Sequence, residues 1–227
     1  MARTRIAMIL SGCGQQDGTE VTEAVLSHLA LARAGCEVLF FAPSRPQARV
    51  VDHTTGHAAA ETRDALVEAA RIARGRIRPL SELDPSHVDG AWLPGGSGAL
   101  QTLAPTPPRG DHPVALPELA QVLRALHAAG KPIGAVCIAP LTVLAALGAG
   151  EVTLGPDAAQ GPRAAALGGV AHPTHADQPW IDTARRLVSV PAFMDHGASI
   201  EKVAAGIDRA AEAFVAWATH RARVTAS

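Results

Sequence analysis

The chain has 227 residues, 48% of them hydrophobic, and Lys+Arg 20 against Asp+Glu 21 gives a net charge of −1. That length and apolar content suit one large α/β domain with a sizeable core, and the near-zero charge without a basic run excludes the electrostatic footprint of a nucleic-acid or anionic-membrane binder. No window approaches the roughly 18 to 20 uninterrupted apolar residues of a membrane span, the opening MARTRIAMILSGCG lacks a full signal h-region and cleavage site, and three cysteines without close spacing make no disulfide scaffold; the expectation is a soluble, cytoplasmic protein.

Strand-like and helix-like runs alternate. RIAMIL (5–10), a short apolar run ended by Ser-Gly, predicts a buried strand. Residues 19–35 carry helical spacing at Ala24, Leu26, Leu29, Ala30 and Leu31, with Gly35 suited to the C-cap. CEVLFFA (36–42) predicts a second strand, and a loop follows with a short β excursion at ARVVDH. Residues 61–75 form an amphipathic helix closed by glycine, and DGAWLPGG (89–96) a strand running into a glycine turn. Residues 104–117, with five prolines, read as a loop. A helix at 118–130, the strand KPIGAVC and the helix IAPLTVLAALG follow. Beyond Gly150 the pattern weakens to a short strand near EVTLG and a helix near AAQGPRAAALGG, before the strand RLVSVPAF (186–193) and a long helix over 199–222. This β-α-β-α order implies one domain over 1–227, a mostly parallel sheet with helices on both faces.

Open parallel sheets place their sites at the carboxyl ends of the strands. There the sequence puts Ser11-Gly12-Cys13-Gly14, followed by Glu20 and Glu23 in a first helical turn, then Pro94-Gly95-Gly96, then Cys137. If the strands are neighbours, these segments share one crevice. A cysteine between strand and helix sits beside backbone N–H groups and the positive end of a helix, which lower a thiol's pKa and favour the reactive thiolate. Gly134, Ala135 and Ala139 permit a tight turn, and Pro140 suits the first helical turn. Gly96 and Ile138 would offer N–H groups to an oxyanion, and a buried glutamate would serve as general acid and base. Each feature also has a plain reading: Cys137 as core filling, the glutamates as partners of the helix dipole, PGG and Cys13 as turn residues.

The blocks SGCGQQDGTEVTEAVL, FAPSRPQARVVDHTTG, ETRDALVEAARIARGRIRPL, LPGGSGALQTL, GKPIGAVCIAP and VSVPAFM resemble, in order and spacing, the ElbB family within the ThiJ/PfpI and class I glutamine-amidotransferase-like superfamily. The resemblance implies a flavodoxin-like three-layer sandwich, a nucleophile elbow at Cys137 and a glutamate twelve residues before the helix-closing glycine; counting back from Gly35 gives Glu23, with Glu20 the nearby alternative. It further implies a glutathione-independent glyoxalase that converts methylglyoxal or glyoxal to a hydroxy acid without metal or cofactor, a small carbonyl substrate and a homodimer. The family's older label is a role in isoprenoid biosynthesis. Ser97, Gln101 and Thr102 stand where relatives carry an aromatic residue, a lysine and an asparagine, so a pocket wall and a charge differ.

Three further readings come from the residues. An oxidisable Cys137 would suit a redox sensor, with Cys13 close enough for a disulfide. His172, His175 and His196 are candidates to assist the thiol, and His172, His175 and Asp177 have metal-ligand chemistry but sit in a proline-containing loop without a fourth partner. A glutaminase is disfavoured because the late stretch AHPTHADQPW contains no His-x-Glu.

Overall fold

The computed structural model describes residues 3–224. The strands in chain order are β1 (Arg5–Ile9), β2 (Glu37–Ala42), β3 (Val51–Asp52), β4 (His57–Ala58), β5 (Ile77–Pro79), β6 (Gly90–Leu93), β7 (Ile133–Val136), β8 (Gly150–Val152), β9 (Gly169–Ala171), β10 (Trp180–Asp182) and β11 (Leu187–Val190). The helices are α1 (Val21–Arg33), α2 (Ala65–Ile72), α3 (Gly98–Gln101), α4 (Pro117–Ala128), α5 (Ala139–Leu147), α6 (Gly161–Ala165) and α7 (Ile200–Val224). Seven strands make the central sheet in the order β10-β11-β7-β6-β1-β2-β5. All its pairings are parallel except β10 on β11.

Alternation along each strand builds two cores. Successive side chains point to opposite faces of a sheet. On one face Ala7 and Ile9 of β1, Ala91 and Leu93 of β6 and Ile133 and Ala135 of β7 meet Leu119, Leu123 and Leu126 of α4 and Leu141, Val143 and Leu144 of α5. On the other, Ile6, Met8, Trp92 and Val136 meet Ala24 and Leu31 of α1, Ala69 of α2, and Val203, Ile207 and Phe214 of α7. Runs such as RIAMI are apolar at every position but the first because both faces are covered. The expected three-layer α/β sandwich is the observed fold.

The sequence reading left out two edge strands, β5 and β10. Each has three residues, too few to show a period, and β5 carries a proline that only an edge tolerates. The excursion at ARVVDH is β3, which pairs antiparallel with β4, a two-residue strand just beyond it that the sequence reading did not include. β8 and β9 form a separate parallel pair.

The chain first lays β2 and β5 to one side of β1, then β6, β7 and β11 to the other. The reversal falls between β1 and β6, where such sheets open a crevice. One packing constraint holds two of the site's strands in place. Trp92 of β6 lies in register beside Gly134 of β7, and its ring stands edge-on to Phe214 with centroids 5.2 Å apart. A methyl group at position 134 would overlap the Trp92 ring. Gly134→Ala therefore lowers stability by about 1–3 kcal/mol, the usual cost of overpacking, read as a reduced midpoint of urea unfolding.

Candidate active site

Cys137 follows β7 directly and precedes α5. Its φ of +61° is rare for a residue with a side chain and costs about 1–2 kcal/mol. The conformation is held by a bond from its own N–H to the carbonyl of Val190 on β11, 2.8 Å away. Gly95, at the end of β6, closes the other side: any side chain there would collide with Cys137 and with the carboxyl of Glu23. Pro140 occupies the first turn of α5, as expected.

Glu23 is fully buried. Its Oε2 accepts the Gly95 N–H at 3.0 Å, its Oε1 faces the Phe193 N–H at 3.5 Å, and the carboxyl packs beside Cys137, so that a side chain at Gly95 would meet both its Oε2 and the Cys137 sulfur. Glu20, three residues earlier, has a different job. It is the N-cap of α1, its Oε2 accepting the Glu23 N–H at 2.6 Å, while its own N–H donates to Gly95 at 2.9 Å. The structure thus separates the two sequence candidates: Glu23 touches the sulfur, and Glu20 fixes the turn that carries Glu23.

Burial, then the neighbouring Glu20 carboxylate, pushes the Glu23 carboxyl up to about 8, against the pull of its hydrogen bonds. Cys137 retains some exposure through a cavity, yet protein surrounds it closely. Burial first, then the charge of Glu23, pushes its thiol well up, while the N–H groups of Gly96 and Ile138 pull it down. The expectation of a lowered thiol is therefore corrected. The amides are where the sequence placed them, but desolvation and a neighbouring carboxyl outweigh them.

A cavity of about 370 Å³ opens over the sulfur. Glu20, Glu23, Gly96, Ser97, Cys137 and Ile138 line it, so six residues read from the sequence converge. Gly95 sits behind Cys137 rather than in the wall. Cys13, expected in the same pocket, is outside it. Its thiol is pushed up by burial first and then by Glu68 of α2, because Gly12 and Gly14 at φ +105° and +133° turn the loop toward that helix. Cys13, Cys36 and Cys137 are all free thiols.

Of the histidine candidates only His196 lines the cavity. His172 is stacked on Trp180 at 3.5 Å and bonded to Glu151 at 2.9 Å. His175 is bonded to Asp195 at 3.2 Å, and Asp177 pairs with Arg209 at 3.3 Å. These three thus serve separate structural contacts, and among the described residues no cluster of His, Cys, Asp or Glu could hold a metal. Sequence reasoning missed Gln15, Phe193 and Arg163 as wall residues. Phe193 had a usable signal, since it lies just past the strand end in VSVPAF. Arg163 had none, lying where the pattern is weakest.

The human glutamine amidotransferase-like class 1 domain-containing protein 3, mitochondrial, is 40% identical over 200 residues, 84% of this chain and 75% of that protein. The rat ES1 protein homolog, mitochondrial, is 39% identical over 85% of this chain and 76% of its own length. The chain belongs to the ES1 family of class I glutamine amidotransferase-like proteins. A crystal structure of an isoprenoid biosynthesis protein with an amidotransferase-like domain from Ehrlichia chaffeensis superposes on the ES1-family fold seen here with a TM-score of 0.87, at 34% identity over 94% of this chain and 99% of that one. Glyoxalase III from Candida albicans shares the wider DJ-1/ThiJ/PfpI fold, with a TM-score of 0.59 at 14% identity over 94% of this chain and 97% of that one. No family model matches the chain. The cytoplasmic expectation is overturned, because the ES1 relatives are named as mitochondrial proteins. That reading rested on composition and the first residues alone, neither of which reports a compartment. No helix among the described residues is long and apolar enough to cross a membrane.

Burial of Glu23 has a measurable consequence. An unfolded glutamate titrates near the ordinary 4.5, the folded one near about 8. Between these values the folded state binds the extra proton, so stability falls as pH rises through that window. Glu23→Gln removes the titration, and its melting temperature gains on that of the wild type as pH goes from 5 to about 8. A difference that stays flat with pH in thermal unfolding would contradict the assignment.

Proposed function

We propose that the protein is a cofactor-independent glyoxalase of the ElbB type, using Cys137 as nucleophile and Glu23 as acid–base group. The observation that carries this reading is the buried Glu23 carboxyl packed beside the Cys137 sulfur in the wall of one cavity. A carboxyl raised to about 8 is matched to proton transfer near neutral pH.

The steps balance as follows. The sulfur bonds to the aldehyde carbon of a 2-oxoaldehyde as the carbonyl π pair moves to oxygen. Starting from the form with Glu23 ionised, its carboxylate takes the thiol proton and hands it to that oxygen, giving a hemithioacetal and a carboxylate once more. Glu23, now as carboxylate, removes the hydrogen on C1 to form an enediol and returns a proton to C2, giving a thioester of the 2-hydroxy acid. Water attacks the thioester carbon, the C–S bond breaks, and the sulfur leaves with a proton as thiol. Methylglyoxal plus water becomes lactate with no net redox change. The N–H groups of Gly96 and Ile138, which act on the sulfur in the resting site, would stabilise an oxyanion at that carbon.

The raised thiol weighs against the redox-sensor alternative. Peroxide reacts with thiolate, and a buried, protonated cysteine has little. The glutaminase reading gains nothing either: of the late histidines named above only His196 lines the cavity, and Gly197-Ala198 follow it, so it does not supply the His-x-Glu pair.

Purified protein should consume methylglyoxal and form lactate, with Cys137→Ala and Glu23→Gln each reducing kcat/KM at least about 100-fold, as removal of a nucleophile or general base does. Because the base acts as carboxylate, kcat/KM rises with pH and levels off above the Glu23 value of about 8. Equal rates for wild type and Cys137→Ala would remove the proposal.

A further inference from the structure

The cavity over Cys137 is larger than a three-carbon aldehyde needs, and it does not end where the chemistry ends. A second cavity, of about 500 Å³, shares three wall residues with it: Leu100, Gln101 and Arg163. Together the two lobes reach the size range of sites for much larger ligands.

The polar groups at the shared wall are Arg163 and Gln101. Arg163, on α6, donates one hydrogen bond, to the neutral amide of Gln160 at 3.0 Å, and forms no ion pair among the described residues. The Oε1 of Gln101 is buried without a hydrogen-bond partner. With its oxygen held in the buried position, the side chain's NH2 is the group left for the two cavities that Gln101 lines. A guanidinium fork beside an amide is the donor set that recognises carboxylate and phosphate oxygens. The other charged groups fix which way round a ligand lies. Glu20 stands in the Cys137 lobe, with His196; Asp111 stands in the far lobe, with His112. An anionic group beside the sulfur would face Glu20, whereas at the junction it faces Arg163.

We propose that Arg163, assisted by Gln101, binds an anionic end of the substrate while Cys137 receives its aldehyde, so that the substrate class is an aldehyde bearing a carboxylate or phosphate several bonds from the carbonyl. This rests on the reading of Cys137 as the carbonyl acceptor. Methylglyoxal then becomes a small stand-in that uses one lobe only.

Calorimetric titration of the full chain tests this with matched pairs: glutarate semialdehyde against pentanal for carboxylate, and glyceraldehyde phosphate against glyceraldehyde for phosphate. In the wild type the anionic member of at least one pair binds about tenfold tighter, the discrimination one charge-assisted contact supplies, and the pair with the larger ratio identifies the anion. Arg163→Gln, at an exposed position, brings that ratio to about one. A wild-type ratio near one for both pairs, or a ratio that survives in Arg163→Gln, overturns the proposal. Cys137→Ala separates it from the glyoxalase reading. If turnover is absent in the wild type but the Arg163-dependent ratio persists in Cys137→Ala, the anion site stands and the glyoxalase reading falls. Turnover of methylglyoxal without any Arg163-dependent ratio gives the reverse.

Discussion

The site depends on one interaction, a carboxyl buried against a sulfur. An ionised carboxylate at the position of Glu23 would lack water and have few donors, so it holds its proton to about pH 8. The shift costs on the order of a few kcal/mol of stability at alkaline pH, and the left-handed backbone at Cys137 adds strain. A fold meant only to be stable would place an apolar side chain at 23 and glycine at 137. Both departures meet at the same cavity wall, which is where proteins concentrate groups that stability alone would remove.

The surrounding structure exists to keep that contact in register. Glu23 comes from α1, Gly95 from the end of β6, Cys137 from the end of β7 and Phe193 from just beyond β11. The sheet order makes the last three strands neighbours. The glycine-rich loop before α1 is then tied to the turn after β6: Ser97 donates to Gln15 at 2.8 Å and Gly98 to Gly18 at 2.9 Å. Gly96, at φ +94°, has Glu20 and Gly18 backbone packed against its α-carbon. The N–H that faces the sulfur is therefore positioned by the same loop that caps the helix bearing Glu23. A change on the loop reaches acid, oxyanion donor and cavity wall together.

Much of this was legible in the residues, for reasons that can be named. Strands covered on both faces leave uninterrupted apolar runs, and the site segments lie at their ends, so Cys137, Gly96 and Ile138 followed from strand-end reasoning. The family resemblance favoured Glu23 over Glu20, but the residues alone did not separate them, because they are three apart in one helical turn and only the packing of α1 on the sheet decides which is buried. Cys13 was misplaced because glycines at positive φ steer its loop toward α2, a tertiary outcome invisible in SGCG. The sign of the Cys137 shift was missed for a related reason: amides and a helix end can be read from sequence, whereas desolvation depends on everything that closes around the atom. Arg163 lay outside any pattern, on a five-residue helix whose position depends on contacts distant in sequence.

The neutral thiol also explains how two amides can serve two purposes. The N–H groups of Gly96 and Ile138 face the sulfur in the resting site. Were the sulfur a standing thiolate, those bonds would be charge-assisted and strong, and transferring them to an oxyanion would sacrifice about as much as it gained. With the sulfur and Glu23 each keeping its proton at rest, the resting bonds are to a weak acceptor. Negative charge then appears first on the substrate oxygen as the carbon–sulfur bond forms, and the donors meet it at nearly full strength. Stabilisation of that kind is felt in the transition state and little in the ground state, which is the condition for it to accelerate the step. Keeping the thiol protonated at rest therefore serves the chemistry, because it leaves the amides free for the charge that develops later.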